Sequence, residues 1–319
     1  MKKVLVMTTI NPPRDIFIKM LDQLSPDYSA VVVGDIQTPN CWWKDFQSAR
    51  LTFIPNKVGC FPSKHYARKN LGYMAAKELG ADWIIDLDDD QELFIKNREL
   101  VLGNPVDSWH LVNQSGWINP YPFYYDIHSW PRGLPLDKIN DYAICEEDER
   151  PVSALLFQGI VDHDPDLDAI FRLTTPPLSY FKSQPACIQL NYNNLVPINS
   201  QATAWHISLF PLMYLPFTVN PRFSDILRGR IAQRALLTFG SIALQGGIGK
   251  QVRNRHNLLA DFKAELELYQ ADELFLPYAP ISFDLFPSWL KIVYIVFYTH
   301  SVVKSSELDY LSAFLKGEE

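Results

Sequence analysis

The chain has 319 residues, of which 47% are hydrophobic, 20% charged and 13% aromatic. This composition excludes a disordered or collagen-like chain and supports one large domain or two closely packed lobes. The formal net charge of −7 argues against a protein that binds nucleic acid by broad attraction to the phosphate backbone.

The N-terminal part alternates between apolar runs and helical segments. The apolar runs at residues 4–7, 30–33 and 83–85, the last ending on Asp86, are predicted strands, and a further strand is predicted at residues 51–54. Helices are predicted for residues 15–24 and 63–78, the second capped by Ser63 and followed by Gly80. Apolar strands separated by helices indicate a parallel sheet covered on both faces, so we predict a doubly wound α/β fold.

The later part of the chain is more irregular. Proline and aromatic residues crowd residues 104–200, and long loops inside a compact domain are more often functional than accidental. Residues 223–244 are a predicted helix, ended by the glycines at 246, 247 and 249. Residues 257–271 are another, with one apolar face formed by Leu258, Phe262, Leu266 and Tyr269.

Several features bear on location. Residues 4–7 form too short an apolar run for a signal peptide. Residues 289–298 are interrupted by Lys291 and too short to span a bilayer, so a buried core helix is favoured over one lying on a membrane surface. The four scattered cysteines form no Cys-x-x-Cys pair and indicate free thiols. We expect a cytoplasmic protein with at most peripheral membrane contact.

The most informative passage is the acidic run that follows residues 83–85. The sequence Asp86-Leu87-Asp88-Asp89-Asp90 places carboxylates at the carboxyl edge of the predicted sheet, where open α/β folds bind ligands. Crowded carboxylates repel one another unless a cation neutralises them. Mg²⁺ and Mn²⁺ prefer such oxygen ligands and often bind carboxylates together with phosphate oxygens. The passage therefore predicts a DXD-type Mn²⁺ or Mg²⁺ site that holds a nucleotide diphosphate.

The alternative is a solvated acidic turn in which Asp88, Asp89 and Asp90 cap a helix. An EF-hand is excluded because the loop lacks the glycine at its sixth position and the acidic twelfth residue.

Blocks of sequence in the same order over most of the chain carry a resemblance to a known family. They are residues 31–35, 38–39, 69–73, 86–89, 119–121, 130–135, 158–162, 164–173, 197–201, 225–229 and 253–257. With these blocks the chain resembles the STELLO-like (DUF288) glycosyltransferases. More distantly, it is similar to the UDP-arabinopyranose mutases, or reversibly glycosylated proteins. The resemblance implies a GT-A fold, with residues 1–250 as the nucleotide-sugar-binding and catalytic domain and 251–319 as a helical segment packed on it.

The resemblance also implies roles on the donor side. The residues that would contact the nucleotide sugar are Thr8, Thr9, Asp35, Arg68, Asn70, Asp86, Arg132 and Arg228. Strand-end turns are the alternative for the two threonines, and a surface charge is the alternative for Arg68. Asp88 and Asp89 would bind the metal directly, and His256 would complete its shell unless it is an ordinary core or surface histidine.

On the acceptor side, Asp225 is the expected catalytic base, because inverting GT-A enzymes place a carboxylate at the start of a helix beyond the acceptor loop. An ion pair with Arg228, three residues on, is the competing explanation. Trp130, beside Arg132, offers a ring for a sugar face. The acidic run 162–168 is also placed near sugar or acceptor, although turn roles and an Asp168–Arg172 ion pair compete.

Together these features predict a metal-dependent glycosyltransferase. It would move a sugar from a nucleotide-diphosphate donor, a UDP-sugar in the first instance, to a glycan or other hydroxyl acceptor, with inversion. Retaining chemistry remains open. The alternatives are a UDP-sugar mutase and a non-catalytic assembly protein with a GT-A-like fold. Nucleic acid is not an expected partner.

Overall fold

The computed structural model describes most of the chain. The described residues are 1–46, 48–56, 61–105, 108–111, 115–148, 150–175, 181–191, 193–236, 239, 242–251, 257–270, 280 and 282–317.

The strands and helices of these residues are numbered in chain order. The strands are β1 (Lys3–Thr9), β2 (Tyr28–Gly34), β3 (Leu51–Ile54), β4 (Trp83–Asp86), β5 (Gln91–Leu93), β6 (Ile95–Lys96), β7 (Glu99–Leu100), β8 (Ser108–Leu111), β9 (Gly116–Trp117), β10 (Cys145–Asp148), β11 (Leu156–Gly159), β12 (Asp162–His163), β13 (Cys187–Gln189), β14 (Asn194–Leu195), β15 (Thr203–His206), β16 (Ile242–Gln245) and β17 (Gly249–Gln251). The α-helices are α1 (Asp15–Gln23), α2 (Asn40–Lys44), α3 (Lys69–Glu78), α4 (Tyr121–Tyr124), α5 (Ala169–Thr174), α6 (Pro221–Leu236), α7 (Leu258–Gln270), α8 (Phe286–Thr299) and α9 (Glu307–Lys316).

Within the described residues, ten strands form one mixed sheet in the order β10-β8-β13-β16-β11-β15-β4-β1-β2-β3. The four strands β4, β1, β2 and β3 run parallel, as predicted for the N-terminal part. Beyond β4 the sheet is mixed, because β15 pairs antiparallel with β4 and β11 pairs antiparallel with β15. The predicted α/β class is confirmed.

Helices cover both faces of the sheet. Consecutive residues of β1 alternate between two apolar layers, with Val4 and Val6 in one and Leu5 and Met7 in the other. Helices α3, α6, α8 and α9 contribute to the first layer, and α1 contributes to the second. This alternation is why the strands read as continuous apolar runs.

Helix α3 packs unusually close to the sheet. A Cβ atom added at Gly72 would lie 2.5 Å from Cγ1 of Val6 and 3.0 Å from Cγ2 of Val33. Only a glycine permits this approach, which brings the first turn of α3 next to the end of β4.

Two predicted helices have different boundaries. The segment 63–78 begins as a 3₁₀ turn at Tyr66–Arg68 before α3, and His65, not Ser63, caps that turn by accepting a hydrogen bond from the amide of Ala67. Residues 223–244 are not one helix, because α6 ends at Leu236 and Ile242–Gln245 forms β16 between β11 and β13. Long-range strand pairing overrides the local helical pattern there.

The helix predicted at 257–271 is present as α7, but its buried face differs from the predicted one. Leu266 is 43% exposed, whereas Glu265 and Leu268 are buried. The polar contacts of Glu265, described below, explain the difference.

The C-terminal helices α8 and α9 belong to the same apolar cluster as β1. The core side chains of α8 are Phe286, Trp289, Leu290, Val293, Tyr294 and Phe297. None of the described helices has the length and apolar character needed to cross a membrane.

Candidate functional site

A cavity of about 640 Å³ opens at the carboxyl ends of β1, β2 and β4. Strands β2 and β4 lie on opposite sides of β1, so the cavity sits at a switch point of the sheet, where open α/β folds bind ligands. Its volume lies in the usual range for small-molecule sites. The described residues that line it are Thr8, Thr9, Ile10, Asn11, Asp35, Gln37, Lys64, His65, Tyr66, Asp88, Asp89, Asp90, Arg132, Asp166, Pro221, Arg222, Asp225 and Gln251.

Asp86 is fully buried beneath this cavity and does not line it. Its Oδ1 accepts a hydrogen bond from Nζ of Lys69 at 2.7 Å. Its Oδ2 accepts from Oη of Tyr73 at 2.6 Å and from Nη1 of Arg228 at 2.9 Å. Both oxygens are therefore occupied by internal partners, and neither Asp86 nor Arg228 reaches the cavity as the sequence predicted for nucleotide contacts.

Asp88 and Asp89 do line the cavity, and one carboxylate oxygen of each accepts hydrogen bonds from neighbouring side chains. Oδ1 of Asp88 accepts hydrogen bonds from Oη of Tyr66 at 2.7 Å and from Nζ of Lys69 at 3.3 Å. Oδ2 of Asp89 accepts from the side chains of Asn11, at 2.8 Å, and Thr9. Burial, and secondly the negative charge of Asp88, raise the pKa of Tyr66 well above its usual value. The phenol therefore keeps the proton that it donates.

These contacts change the electrostatic argument made from the sequence. Lys69 and Arg228 are both buried cations beside Asp86, and Lys69 also reaches Asp88. The chain's own cations therefore offset the crowded carboxylates, and the crowding alone does not require a metal ion.

The donor set nevertheless fits a divalent cation that is held partly by its ligand. Oδ1 of Asp89 accepts no hydrogen bond from the described residues, and Asp88 and Asp89 both face the cavity. Among the described residues, no group of three or more His, Cys, Asp or Glu side chains could hold a metal. Two carboxylates with phosphate oxygens are a common Mg²⁺ arrangement. His256, the third predicted ligand, lies outside the described residues.

The other wall of the cavity is built around Arg132. Its guanidinium lies between two carboxylates, with Nη1 and Nη2 donating to Asp225 at 2.9 Å each, and Nε and Nη2 donating to Asp166. Burial alone would lower the pKa of Arg132, but Asp166 and Asp225 outweigh it and raise the pKa well above the usual value. The Asp225–Arg228 ion pair, the alternative to a base role for Asp225, does not form: Asp225 pairs with Arg132, and Arg228 turns inward to Asp86.

Of the residues predicted at the nucleoside end, Thr8, Thr9 and Asp35 line the cavity. Arg68 and Asn70 do not. Arg68 is buried and donates from Nε to the carbonyl of Gly34, with Nε 4.0 Å from Asp35. Asn70 exchanges two hydrogen bonds with the backbone of Leu215 and is fully buried.

The acidic run 162–168 is mainly structural apart from Asp166. Asp162 accepts hydrogen bonds from the backbone and hydroxyl of Ser183. The alternative Asp168–Arg172 ion pair does not form: Arg172 pairs with Asp164 at 2.6 Å, and Asp168 caps α5 by accepting from the amide of Ile170.

Trp130 is also structural. It is buried edge-on against Phe171, with ring centroids 5.1 Å apart, and does not line the cavity.

Sequence reasoning missed a chain of buried amides along the cavity floor. Oε1 of Gln251 accepts from Nε2 of Gln91 at 3.2 Å and from Nε2 of Gln201. Gln91 accepts from the amide of Asp88 at 2.9 Å, and Gln201 accepts from the amide of Asp166 at 3.0 Å. The two walls are thus joined by hydrogen bonds between residues 35 to 160 positions apart, a separation that no local pattern can reveal.

Comparison with known proteins gives one clear similarity. No family model matches the chain. Over 197 residues the chain is 29% identical to "Probable glycosyltransferase STELLO2" and 30% identical to "Probable glycosyltransferase STELLO1", both from Arabidopsis thaliana. Each match covers 56% of this chain and 26% of the relative, so the chain spans about a quarter of the length of these curated relatives.

The likeness to solved structures is remote. A glucosyl-3-phosphoglycerate synthase from Mycobacterium tuberculosis in complex with phosphoglyceric acid is 15% identical, with a TM-score of 0.42, over 84% of this chain and 78% of that chain. A mannosyltransferase from Pyrobaculum calidifontis in complex with GDP-Man and Mn²⁺ is 9% identical, with a TM-score of 0.40, over 99% of this chain and 79% of that chain. Such distant likeness identifies no activity. The resemblance predicted from the sequence blocks is confirmed: the chain is similar to the STELLO glycosyltransferases over more than half of its length.

Proposed function

We propose that the chain is a GT-A-type, metal-dependent glycosyltransferase that transfers a sugar from a nucleotide-diphosphate donor to a hydroxyl acceptor. The observation that carries the proposal is the meeting of Asp88, Asp89 and Asp225 in one cavity at the carboxyl ends of the parallel strands. The similarity to the STELLO glycosyltransferases supports the reaction class.

In this proposal the nucleoside lies against Thr8 and Asp35, at the ends of β1 and β2, and the diphosphate reaches toward Asp88 and Asp89. These two carboxylates would hold Mn²⁺ or Mg²⁺ together with phosphate oxygens. When bound, the ion supplies positive charge where negative charge develops on the leaving diphosphate. Thr9 and Asn11 fix Asp89, and Tyr66 fixes Asp88, so the carboxylates are oriented before the ligand arrives.

Asp225 is the proposed base for the acceptor hydroxyl. Its side chain is only 8% exposed, so an acceptor reaches it from the cavity and not from bulk solvent. Both oxygens of Asp225 bond to Arg132, and Oδ2 also accepts from the amide of Ser200 at 3.2 Å. The amide of Ile226 also donates to Oδ1 at 3.0 Å, so these contacts fix the carboxylate at the cavity wall. As a base it would take the proton of an acceptor hydroxyl that displaces one of these donors, and inversion follows if the hydroxyl attacks opposite the leaving diphosphate.

Removing Asp88 or Asp89 tests the donor site. We expect Asp88→Ala and Asp89→Ala to abolish metal-dependent binding of UDP, because each loses an oxygen ligand, while far-ultraviolet circular dichroism stays unchanged. Calorimetric titration with UDP and MnCl₂ measures the loss.

Asp22→Ala, on the exposed side of α1, is the matched control and should bind as the wild type does. Undiminished UDP affinity in both cavity variants would refute the donor site. Nuclear magnetic resonance of a UDP-sugar incubated without acceptor separates the alternative of a UDP-sugar mutase: ring isomerisation would indicate the mutase, and slow hydrolysis the transferase.

A further inference from the structure

Three cations line the cavity within the described residues, and two of them are committed to carboxylates of the chain. Arg132 is shared by Asp166 and Asp225. Arg222 donates from Nε and Nη2 to Glu265, and its Nη1 lies 3.7 Å from Asp261. Neither guanidinium can turn to a ligand without leaving a buried or half-buried carboxylate unpaired, which is costly.

Lys64 is the third cation, and its position is different. Its ammonium forms no hydrogen bond or ion pair with the rest of the described chain, and the residue is exposed at the cavity. Its backbone is left-handed, with φ of 59°, a conformation that costs a lysine about 1 kcal/mol. The amide of Lys64 donates to Oδ1 of Asp35 at 2.9 Å, and this bond helps to hold the conformation.

Residues 64–66 connect Asp35, on one side of the cavity, to Asp88, on the other. At one end the Lys64 amide is bonded to Asp35, after β2. Two residues on, Oη of Tyr66 donates to Asp88, after β4, at 2.7 Å. Lys64 therefore lies between the position proposed for the nucleoside and the position proposed for the metal ion.

An anionic ligand needs positive charge where it enters the cavity, and Lys64 can supply it in addition to the proposed metal ion. Six aspartates line the cavity, at positions 35, 88, 89, 90, 166 and 225, against Lys64, Arg132 and Arg222, a formal excess of three negative charges among the described lining residues. An anionic ligand entering this field is repelled unless a cation meets it. We propose that Lys64 binds the phosphate-bearing part of the ligand and sets the preference for a charged nucleotide over an uncharged nucleoside. This inference rests on the proposed function.

The test compares two probes, UDP and uridine, by calorimetric titration of the full chain with MnCl₂ present. We expect Lys64→Met to weaken UDP binding about tenfold, the size of one charge-assisted contact, and to leave uridine binding unchanged. Lys64→Arg keeps the charge and should retain most of the affinity. Lys64→Gly removes the charge and relieves the left-handed backbone, so it should fold well and lose UDP affinity in the same way.

Lys44→Met is the matched control, since Lys44 is an exposed lysine of α2 that does not line the cavity. It should leave the binding of both probes unchanged. Wild-type binding of UDP that persists undiminished in Lys64→Met and Lys64→Gly would overturn this inference alone. Equal weakening of UDP and uridine would also overturn it, because the loss would not concern phosphate. Failure of the wild type to bind UDP would overturn the proposed function and this inference together.

Discussion

Two buried carboxylates near the cavity have opposite surroundings. Asp86, at the end of β4, contacts the cations of Lys69 and Arg228. Asp168, at the start of α5, shares the hydroxyl of Tyr269 with Glu265 and meets no cation among the described residues. Burial, and then Glu265, raise the pKa of Asp168 to about 6. A buried carboxylate that meets no cation therefore holds its proton more tightly than usual.

The substitution expected to cost most stability removes a cation from Asp86. Lys69→Met removes the ammonium that contacts Asp86, Asp88 and the carbonyl of Leu87. It should lower the free energy of unfolding by about 3 to 5 kcal/mol, the usual penalty for removing one partner of a buried ion pair. Urea denaturation measures the loss.

Lys77→Met is the control, because Lys77 lies on the exposed side of the same helix and only approaches the ring of Phe210. Its expected loss is below about 1 kcal/mol. Similar losses in the two variants would show that the buried ammonium carries no special weight.

Asp168→Asn tests the buried carboxylate that meets no cation among the described residues. The pKa of Asp168 is about 6 in the folded protein against an ordinary value of 3.8, so the folded state favours the protonated form. Its contribution to stability is therefore fully present below about pH 4 and is lost as the pH rises to about 6. Asparagine cannot ionise and caps a helix equally well. The variant should be more stable than the wild type by about 1 to 3 kcal/mol at pH 7.5 and nearly equal to it at pH 4.

Urea unfolding at both pH values checks the sign. A variant that is less stable than the wild type at pH 7.5 would mean that the charged form of Asp168 is the one the fold prefers.

The smallest effect is expected from the neutral link between the two walls of the cavity. Gln251→Ala removes the acceptor of Gln91 and Gln201 and the donor to Asp90. The free energy of unfolding should fall by about 1 to 2 kcal/mol, because two buried amides and the partly buried Asp90 each lose one hydrogen bond while no buried ion pair is broken. Thermal or urea unfolding measures it. Gln23→Ala, at the exposed end of α1, is the control, and an equal loss there would remove the case for the link.

The first four strands and the acidic strand end could be predicted from the sequence. Each strand is a continuous apolar run bounded by turn residues, and Asp88 and Asp89 follow the last run directly, so local pattern was sufficient. The strand β16 could not be predicted in the same way. Its residues continue the apolar pattern of α6, and only its pairing with β11 and β13 decides its conformation.

The positions of the acidic site residues could likewise be predicted from local sequence, but their partners, which are distant in sequence, could not. The counter-ions of Asp86 come from 17 and 142 positions away, and the partners of Arg132 from 34 and 93. Spacing arguments paired Asp225 with Arg228 and Asp168 with Arg172 because those pairs are close in sequence. The fold instead pairs Asp225 with Arg132, 93 positions away, where burial makes a partner obligatory.

Gly72 has a consequence that reaches beyond packing. Three residues before it, Lys69 touches Asp86 and Asp88, and one residue after it, Tyr73 touches Asp86. The absence of a side chain at one position therefore sets the height of an entire helix turn above the strands. Gly72 thereby sets the position of the carboxylates without contacting them. A single methyl group added there would move the ammonium of Lys69 and the phenol of Tyr73 away from the strands together, and the carboxylates of Asp86 and Asp88 would lose these partners.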